Sequence, residues 1–233
     1  MMAELSRMEV KTICDTGAPK LNGLNLSGLK LDFFDFKNGN LRGVNLSKAE
    51  MKWSEFNKAD LLKSVFFESN LKGANFTDAN LNGADFEKAN LEESIFDSVI
   101  LISANLRYTN ITRTHFHHAT LDHADLQGAT IRNSFFINSS LKHAIFNKAI
   151  LDIPYFKDCN LQFANFSGTT LADTIFTDVD LSNADFTGAN LEKAHFANTI
   201  LSGADFTGAK LSRNTLQNSN PEGAIGLIID YLR

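Results

Sequence analysis

Cysteine, proline, tryptophan and tyrosine are scarce: the 233 residues hold two, three, one and three of them. Cys14 and Cys159 stand far apart in the chain, which excludes a disulfide framework and any cysteine-based metal spacing. Reduced thiols in a cytoplasmic protein are the expectation. No stretch approaches the roughly 20 apolar residues of a membrane span. Met1 to Pro19 lacks the continuous apolar run of a secretory signal, so a soluble chain without membrane contact is expected. A formal net charge of −5 is too mild to imply a polyanion-binding surface, and direct nucleic-acid contact is not expected. The sequence shows no Ser–His–Asp arrangement, phosphate-binding loop or metalloprotease pattern. Catalysis needs groups converging on a concave pocket. Neither an enzyme nor a cofactor is expected.

What is abundant is phenylalanine and leucine at fixed spacing. Phe36, Phe56, Phe76, Phe96, Phe116, Phe136, Phe156, Phe176 and Phe196 follow one another at steps of twenty. A second ladder, Leu21 to Leu201, is leucine throughout, and a third, Leu31 to Leu211, departs from leucine only at Met51, Ile111 and Ile131. The fourth, Leu26 to Phe206, mixes Leu and Phe. Every fifth residue from Leu21 to Leu216 is thus Leu, Phe, Ile or Met, forty anchors without a slip. A period of five matches neither an α-helix nor a flat strand. Four five-residue units therefore make one turn of a coil.

The unit is clearest in Ala74–Glu93. Two residues before the anchor stands a small residue, and between them an Asn or Asp about half the time. Strand alternation turns the small residue and the anchor inward and the polar residue outward. Two residues past the anchor come ten of the fourteen glycines, as a type II turn with positive φ would use them. Four such walls and turns close a coil, and coils stack at roughly 4.8 Å. The pattern resembles the pentapeptide-repeat family, whose unit is A(D/N)LXX, over residues 19–218. The resemblance implies an all-β solenoid, a right-handed quadrilateral β-helix of about ten coils; the handedness comes from the resemblance alone.

Both ends depart from the repeat. Residues 1–18 form a loosely amphipathic segment (Leu5, Met8, Val10, Ile13), and a stacked rod needs its apolar end covered. They are expected to be an N-terminal cap, packing on Leu24, Leu29 and Phe34, with Phe33 and Trp53 continuing the contact. In residues 219–233, Asn220–Pro221–Glu222 reads as a helix start. Ile225, Ile228, Ile229 and Leu232 then form an apolar stripe at helical spacing. That helix either lies over the last coil or makes a homodimer contact, as in family members that pair through their C-terminal ends.

Candidate sites lie on the outside. His115, His117, His118, His123 and His143 cluster, and His123 stands one coil below His143. With no cysteine nearby and a flat surface, they are expected to be exposed side chains without a ligand role, and no metal is expected. On the Phe ladder the position before the anchor runs Ile95, His115, Phe135, Tyr155, Ile175, with Ile137 beside Phe135. Exposed apolar strips of that kind mark interaction sites. The expected function is a non-enzymatic scaffold that docks a protein partner or a second copy there.

The resemblance also implies narrower readings. Some pentapeptide-repeat proteins protect DNA gyrase and topoisomerase IV from quinolones, as dimeric rods whose acidic faces imitate duplex DNA, so a type II topoisomerase is one partner class. The Phe wall carries Asp35, Glu55, Asp78, Asp97, Asp158 and Asp178 against Lys37, Lys58 and Lys157, which is not a dense anionic track. The rod also lacks the loops that interrupt several resistance proteins. A secreted bacterial effector and a cyanobacterial or plastid structural protein are further alternatives.

Overall fold

The computed structural model describes residues 5–212, 215–216 and 218–227. The chain folds as a parallel β-solenoid with one short helix among the described residues, α1 (Arg7–Cys14). Backbone bridges join residues of successive coils at a step of twenty, from Lys20↔Asn40 to Asp205↔Ile225. Every anchor from Leu21 to Leu216 is buried. The Phe36 ladder is a column of parallel rings, with Phe56 and Phe76 at 4.7 Å. Its edges meet the faces of a neighbouring column, Phe56 against Phe66 at 6.1 Å and 89°. Both arrangements are favourable for aromatic quadrupoles.

The Asn or Asp before an anchor has a definite task. Asn75 Oδ1 accepts from the Thr77 N–H at 3.0 Å and from the Thr77 hydroxyl at 2.7 Å. Asp185 does the same for Thr187 at 2.8 and 2.7 Å. This Asx bond holds the outgoing backbone at the start of the turn. The residue two past the anchor then takes positive φ, as 28 described residues other than glycine also do. Glycine is obligatory only where a neighbour closes over it: a Cβ on Gly73 would lie 2.2 Å from the Trp53 ring.

Most turns close directly, as where the Ala74 N–H donates to the Leu71 carbonyl at 2.9 Å. Some are opened by a hydroxyl from the next coil. Ser134 Oγ accepts from the Thr114 N–H at 3.3 Å and donates to the Ile111 carbonyl at 2.8 Å, so it bridges the two groups a closed turn would join. Ser139 bridges Ala119 and Phe116 likewise, at 3.1 and 2.7 Å. In this region the isolated bridges lengthen into strands. β1 (Asn110–Thr112), β3 (Thr130–Arg132) and β5 (Ile150–Asp152) form one sheet. β2 (His115–His117), β4 (Phe135–Ile137), β6 (Tyr155–Lys157), β7 (Ile175–Thr177), β9 (His195–Ile200) and β11 (Asn218–Asn220) form a second. β8 (Asn190–Leu191) pairs with β10 (Lys210–Leu211).

At the start of the chain Ser6 caps α1. Its hydroxyl accepts from the Glu9 N–H, and the Glu9 carboxylate accepts from the Ser6 N–H at 2.7 Å. Val10 and Cys14 are buried in the common core, with Leu5, Ile13, Leu24 and Leu29 partly buried against it. Arg7 donates from Nε to the Lys30 carbonyl at 2.7 Å and sits 5.1 Å over the Phe34 ring. Two expected contacts are absent. Met8 is 71 % exposed, because the buried stripe of α1 runs through Val10 and Cys14. Phe33 is 75 % exposed, and Trp53 lies over Gly73 instead of reaching the helix.

The far end differs from the expected helix. Asn218–Asn220 is a strand, Asn220 pairs with Ile200, and Ile225 pairs with Asp205 after a register shift. The Ile225 N–H donates to the Ala204 carbonyl and the Phe206 N–H to the Ile225 carbonyl, both at 2.8 Å. A helix starting at Pro221 would leave those groups of the coil below unpaired, which outweighs a local start signal. Pro221 occupies the next place of the Leu21 ladder, Gly223 takes the turn position at φ 79°, and Ala224 is partly buried against the core. Ile225 is 54 % exposed rather than part of a buried stripe. Ile228, Ile229 and Leu232 lie outside the described residues.

Candidate partner-binding face

The row before the Phe anchors is continuous in space. Ile95 bridges to His115, and β2, β4, β6 and β7 then align His115, Phe135, Tyr155 and Ile175 in register. Phe135 is 39 % exposed, while Ile95, Ile137, Tyr155 and Ile175 are half-buried. His115 stands edge-on to Phe135 at 5.5 Å. These side chains replace the Asn or Asp of other units, so this stretch carries no Asx bonds from that row. β-Branched and aromatic residues suit the longer strands found here.

Sequence reasoning missed the extension of this apolar surface round the adjoining turn. Ile150 is 45 % and Ile153 is 50 % exposed. Ile153 is the one β-branched residue with positive φ among the described residues, at 53°, a conformation such side chains resist. Pro154 follows and has no N–H. Thr174, which stands over Pro154 as Ser134 stands over Thr114, has a buried hydroxyl without a hydrogen-bond partner. A strained residue, a missing donor and an orphaned hydroxyl thus meet behind Tyr155. The legible signal was an isoleucine at a turn position otherwise held by Gly, polar or aromatic residues.

The histidines do not converge. His123 and His143 stack face to face at 4.7 Å and 3°, and Phe163 continues the column at 4.9 Å. Rings so aligned point their nitrogens side by side rather than at a common point. His117 instead takes Asp97, whose carboxylate accepts its backbone N–H at 3.2 Å. Among the described residues no group of three or more His, Cys, Asp or Glu is placed to hold a metal ion. Burial pushes both thiols up to about 11, with Asp15 and Asp35 adding to the effect at Cys14. Such thiols are poor nucleophiles at neutral pH.

Charge is neutralised on one side and left open on another. Lys72 lies 3.3 Å from Glu92 and 3.6 Å from Glu93, and Arg113 reaches both carboxylates. Burial raises the Glu92 pKa, but hydrogen bonds from Lys72 and Arg113 outweigh it and hold the carboxyl below its usual range. By contrast Asp158, Asp178 and Asp180, with Asn160, Asn198 and Ile200, line a shallow open depression past the Phe ladder. Those three aspartates have no cationic partner among the described residues. Among these residues, too, no helix is long and apolar enough to cross a membrane.

Comparison with solved structures finds similar chains. The chain is similar to HetL, a pentapeptide repeat protein involved in heterocyst differentiation regulation from Nostoc sp. strain PCC 7120. The two are 21 % identical over 96 % of this chain and 93 % of that one, with a TM-score of 0.49. QnrB1, a plasmid-mediated fluoroquinolone resistance protein, is 23 % identical over 84 % of this chain and 90 % of its own, with a TM-score of 0.40. A pentapeptide repeat protein of the Arabidopsis thaliana thylakoid lumen is 24 % identical over 66 % and 69 %, with a TM-score of 0.16. No curated protein sequence matches significantly. The family models agree with the anchors: "Pentapeptide repeats (8 copies)" matches residues 21–61, 63–97, 100–136 and 121–152. "Pentapeptide repeat region" matches 149–224, into the segment where Gly223 and Ala224 keep register. With buried anchors and turns recurring every five residues along the matched length, and Asx bonds in many of the units, the chain belongs to the pentapeptide-repeat family.

Proposed function

We propose that this protein is a non-enzymatic scaffold that docks a protein partner on the side of its rod, through Ile95, Phe135, Ile137, Tyr155 and Ile175. The carrying observation is a continuous row, interrupted in its apolar character only by His115, of half-buried to exposed apolar side chains where other units place Asn or Asp. The strain at Ile153–Pro154 supports the same location, since stored backbone strain concentrates at working surfaces. The rod is taken as right-handed and four-sided with about ten coils. Four anchors per twenty-residue pairing step support the four sides, and the handedness is carried over from the family. Residues 1–18 serve as its cap, which the burial of Val10 and Cys14 supports.

Changing Phe135 and Tyr155 to Asn restores the ordinary residue of the repeat. In a pull-down the double variant is expected to lose prey that the wild type retains, with circular dichroism unchanged. An identical prey set would end this reading. A second reading, a DNA mimic acting on a type II topoisomerase, is favoured by Asp158, Asp178 and Asp180, three carboxylates around one depression with no cationic partner among the described residues. A gyrase supercoiling assay with and without a quinolone tests it. Inhibition or drug protection at micromolar protein supports it, and no effect at far higher concentration removes it.

A further inference from the structure

The apolar row reads alike in both directions. About Phe135 it has a ring on either side, His115 and Tyr155, and an isoleucine at either end, Ile95 and Ile175. An isologous interface sets each residue against its mate from the other copy, and an apolar row that reads alike in both directions meets that condition with apolar against apolar. We infer that the row pairs with the same row of a second copy of this chain. The two rods lie side by side and antiparallel, about a two-fold axis through Phe135. The inference rests on the reading of this face as a docking surface and names its occupant.

In that arrangement Phe135 meets Phe135, Tyr155 meets His115 of the second copy, and Ile175 meets Ile95. In the row just past the anchors Ile137 meets itself, Asp97 faces Thr177, and His117 faces Lys157. In the turn row His118 faces Asp158, Ser98 faces Asp178, and Asp78 faces Asn198. No carboxylate of these rows faces another. At the outer edge Glu93 falls opposite Asp173, but Glu93 is already held by Lys72 and Arg113. A parallel pairing is worse: Ile95 would face Asp97 and Tyr155 would face Lys157, setting apolar side chains against charge, whereas the antiparallel pairing sets Asp97 and Lys157 against the polar Thr177 and His117. The row spans about 20 Å and a three-residue strand about 10 Å, so the apolar contact is on the order of 200 Å² per copy. A standard stable interface buries about 800 Å² per partner. The pair is therefore weak and reversible, in the micromolar range or above.

Sedimentation equilibrium of the purified full chain, from micromolar to several hundred micromolar, is expected to show a monomer–dimer equilibrium. Phe135→Asn with Tyr155→Asn weakens it at least about tenfold, as for central anchors of an interface. Ile145→Asn, an exposed apolar residue on the opposite wall beside the Leu26 ladder, leaves it unchanged. Geometry is read by oxidative cross-linking, the native thiols being buried. Phe135→Cys cross-links to itself, and Ile95→Cys cross-links to Ile175→Cys when the two variants are mixed. Ile95→Cys alone does not. A monomer at every concentration overturns the inference, as does a dimer untouched by the Phe135/Tyr155 variant. So does Ile95→Cys joining itself as readily as it joins Ile175→Cys. A monomer whose variant still loses prey in the pull-down refutes the second copy and keeps the face as a docking site. A variant that changes neither readout removes both readings.

Discussion

The lower and upper parts of the Phe-ladder side share one interior and differ in surface. Below, Asp35 and Asn75 accept the N–H of Lys37 and Thr77, both at 3.0 Å, and coils touch through isolated bridges. Above, Ile95 to Ile175 make no such bonds, and the bridges lengthen into β2, β4, β6 and β7. The ring column behind them hardly notices: Phe56–Phe76 and Phe116–Phe136 are both spaced at 4.7 Å. In this solenoid the inward residues determine the path of the chain. The outward row is then free to vary between a solvated surface and a sticky one.

The largest test of that division removes a ring from each part. Phe76→Ala and Phe136→Ala should each cost about 3–5 kcal/mol, the usual cost of deleting a buried phenyl ring. Phe76 should cost more by about 1 kcal/mol, because Phe66 and Phe86 also meet it edge-on at 5.9 Å. No such edge contact is made to Phe136 among the described residues. Urea denaturation of both variants measures the difference. If Phe136→Ala were tolerated while Phe76→Ala was not, the upper interior would not be the continuation of the lower one.

The anchors were legible because burial on a strict period leaves forty repeated choices, from Leu21 to Leu216, all agreeing. The row from Ile95 to Ile175 was legible for the converse reason, as a departure from Asn and Asp. The end at Pro221 was misread because Asn220–Pro221–Glu222 is a local signal, whereas the carbonyl of Ala204 and the N–H of Phe206 make a demand twenty residues away. Gly223 and Ala224, in register but without large anchors, carried the right answer faintly. The hydroxyl bridge of Ser134 was invisible, since nothing in a serine at an inward position tells which coil it will bond.

That bridge sharpens the comparison at intermediate size. Ser134 ties together two groups of the coil below, whereas Ser69 donates only to the Phe66 carbonyl of its own turn, at 2.8 Å. Ser134→Ala should cost about 1–3 kcal/mol, because it strands the Thr114 N–H and the Ile111 carbonyl in a dry interior. Ser69→Ala should cost about 1 kcal/mol, the loss of one ordinary bond. Hydrogen exchange at the Thr114 amide gives a second readout, with protection falling in the Ser134 variant. Equal costs and unchanged exchange would mean that the open turn of the upper part does not depend on the hydroxyl.

The smallest effect concerns Ile153 and has the opposite sign. A left-handed conformation costs an ordinary L-residue about 1–2 kcal/mol, while asparagine tolerates it. The Ile153 side chain is half exposed, so little burial is lost on replacing it. Ile153→Asn should therefore raise stability by roughly 1 kcal/mol, seen as a higher urea midpoint with an unchanged slope. The same substitution at a lower turn already held by a polar residue, Asp78→Asn, should do almost nothing. If the repeat selected only for stability, the relaxed residue would stand at 153 as it does at 133 and 138. A stabilised Ile153→Asn that also weakens self-association or prey binding would show that the strained isoleucine is retained for contact. Stabilisation with binding intact would confine the working surface to the row from Ile95 to Ile175.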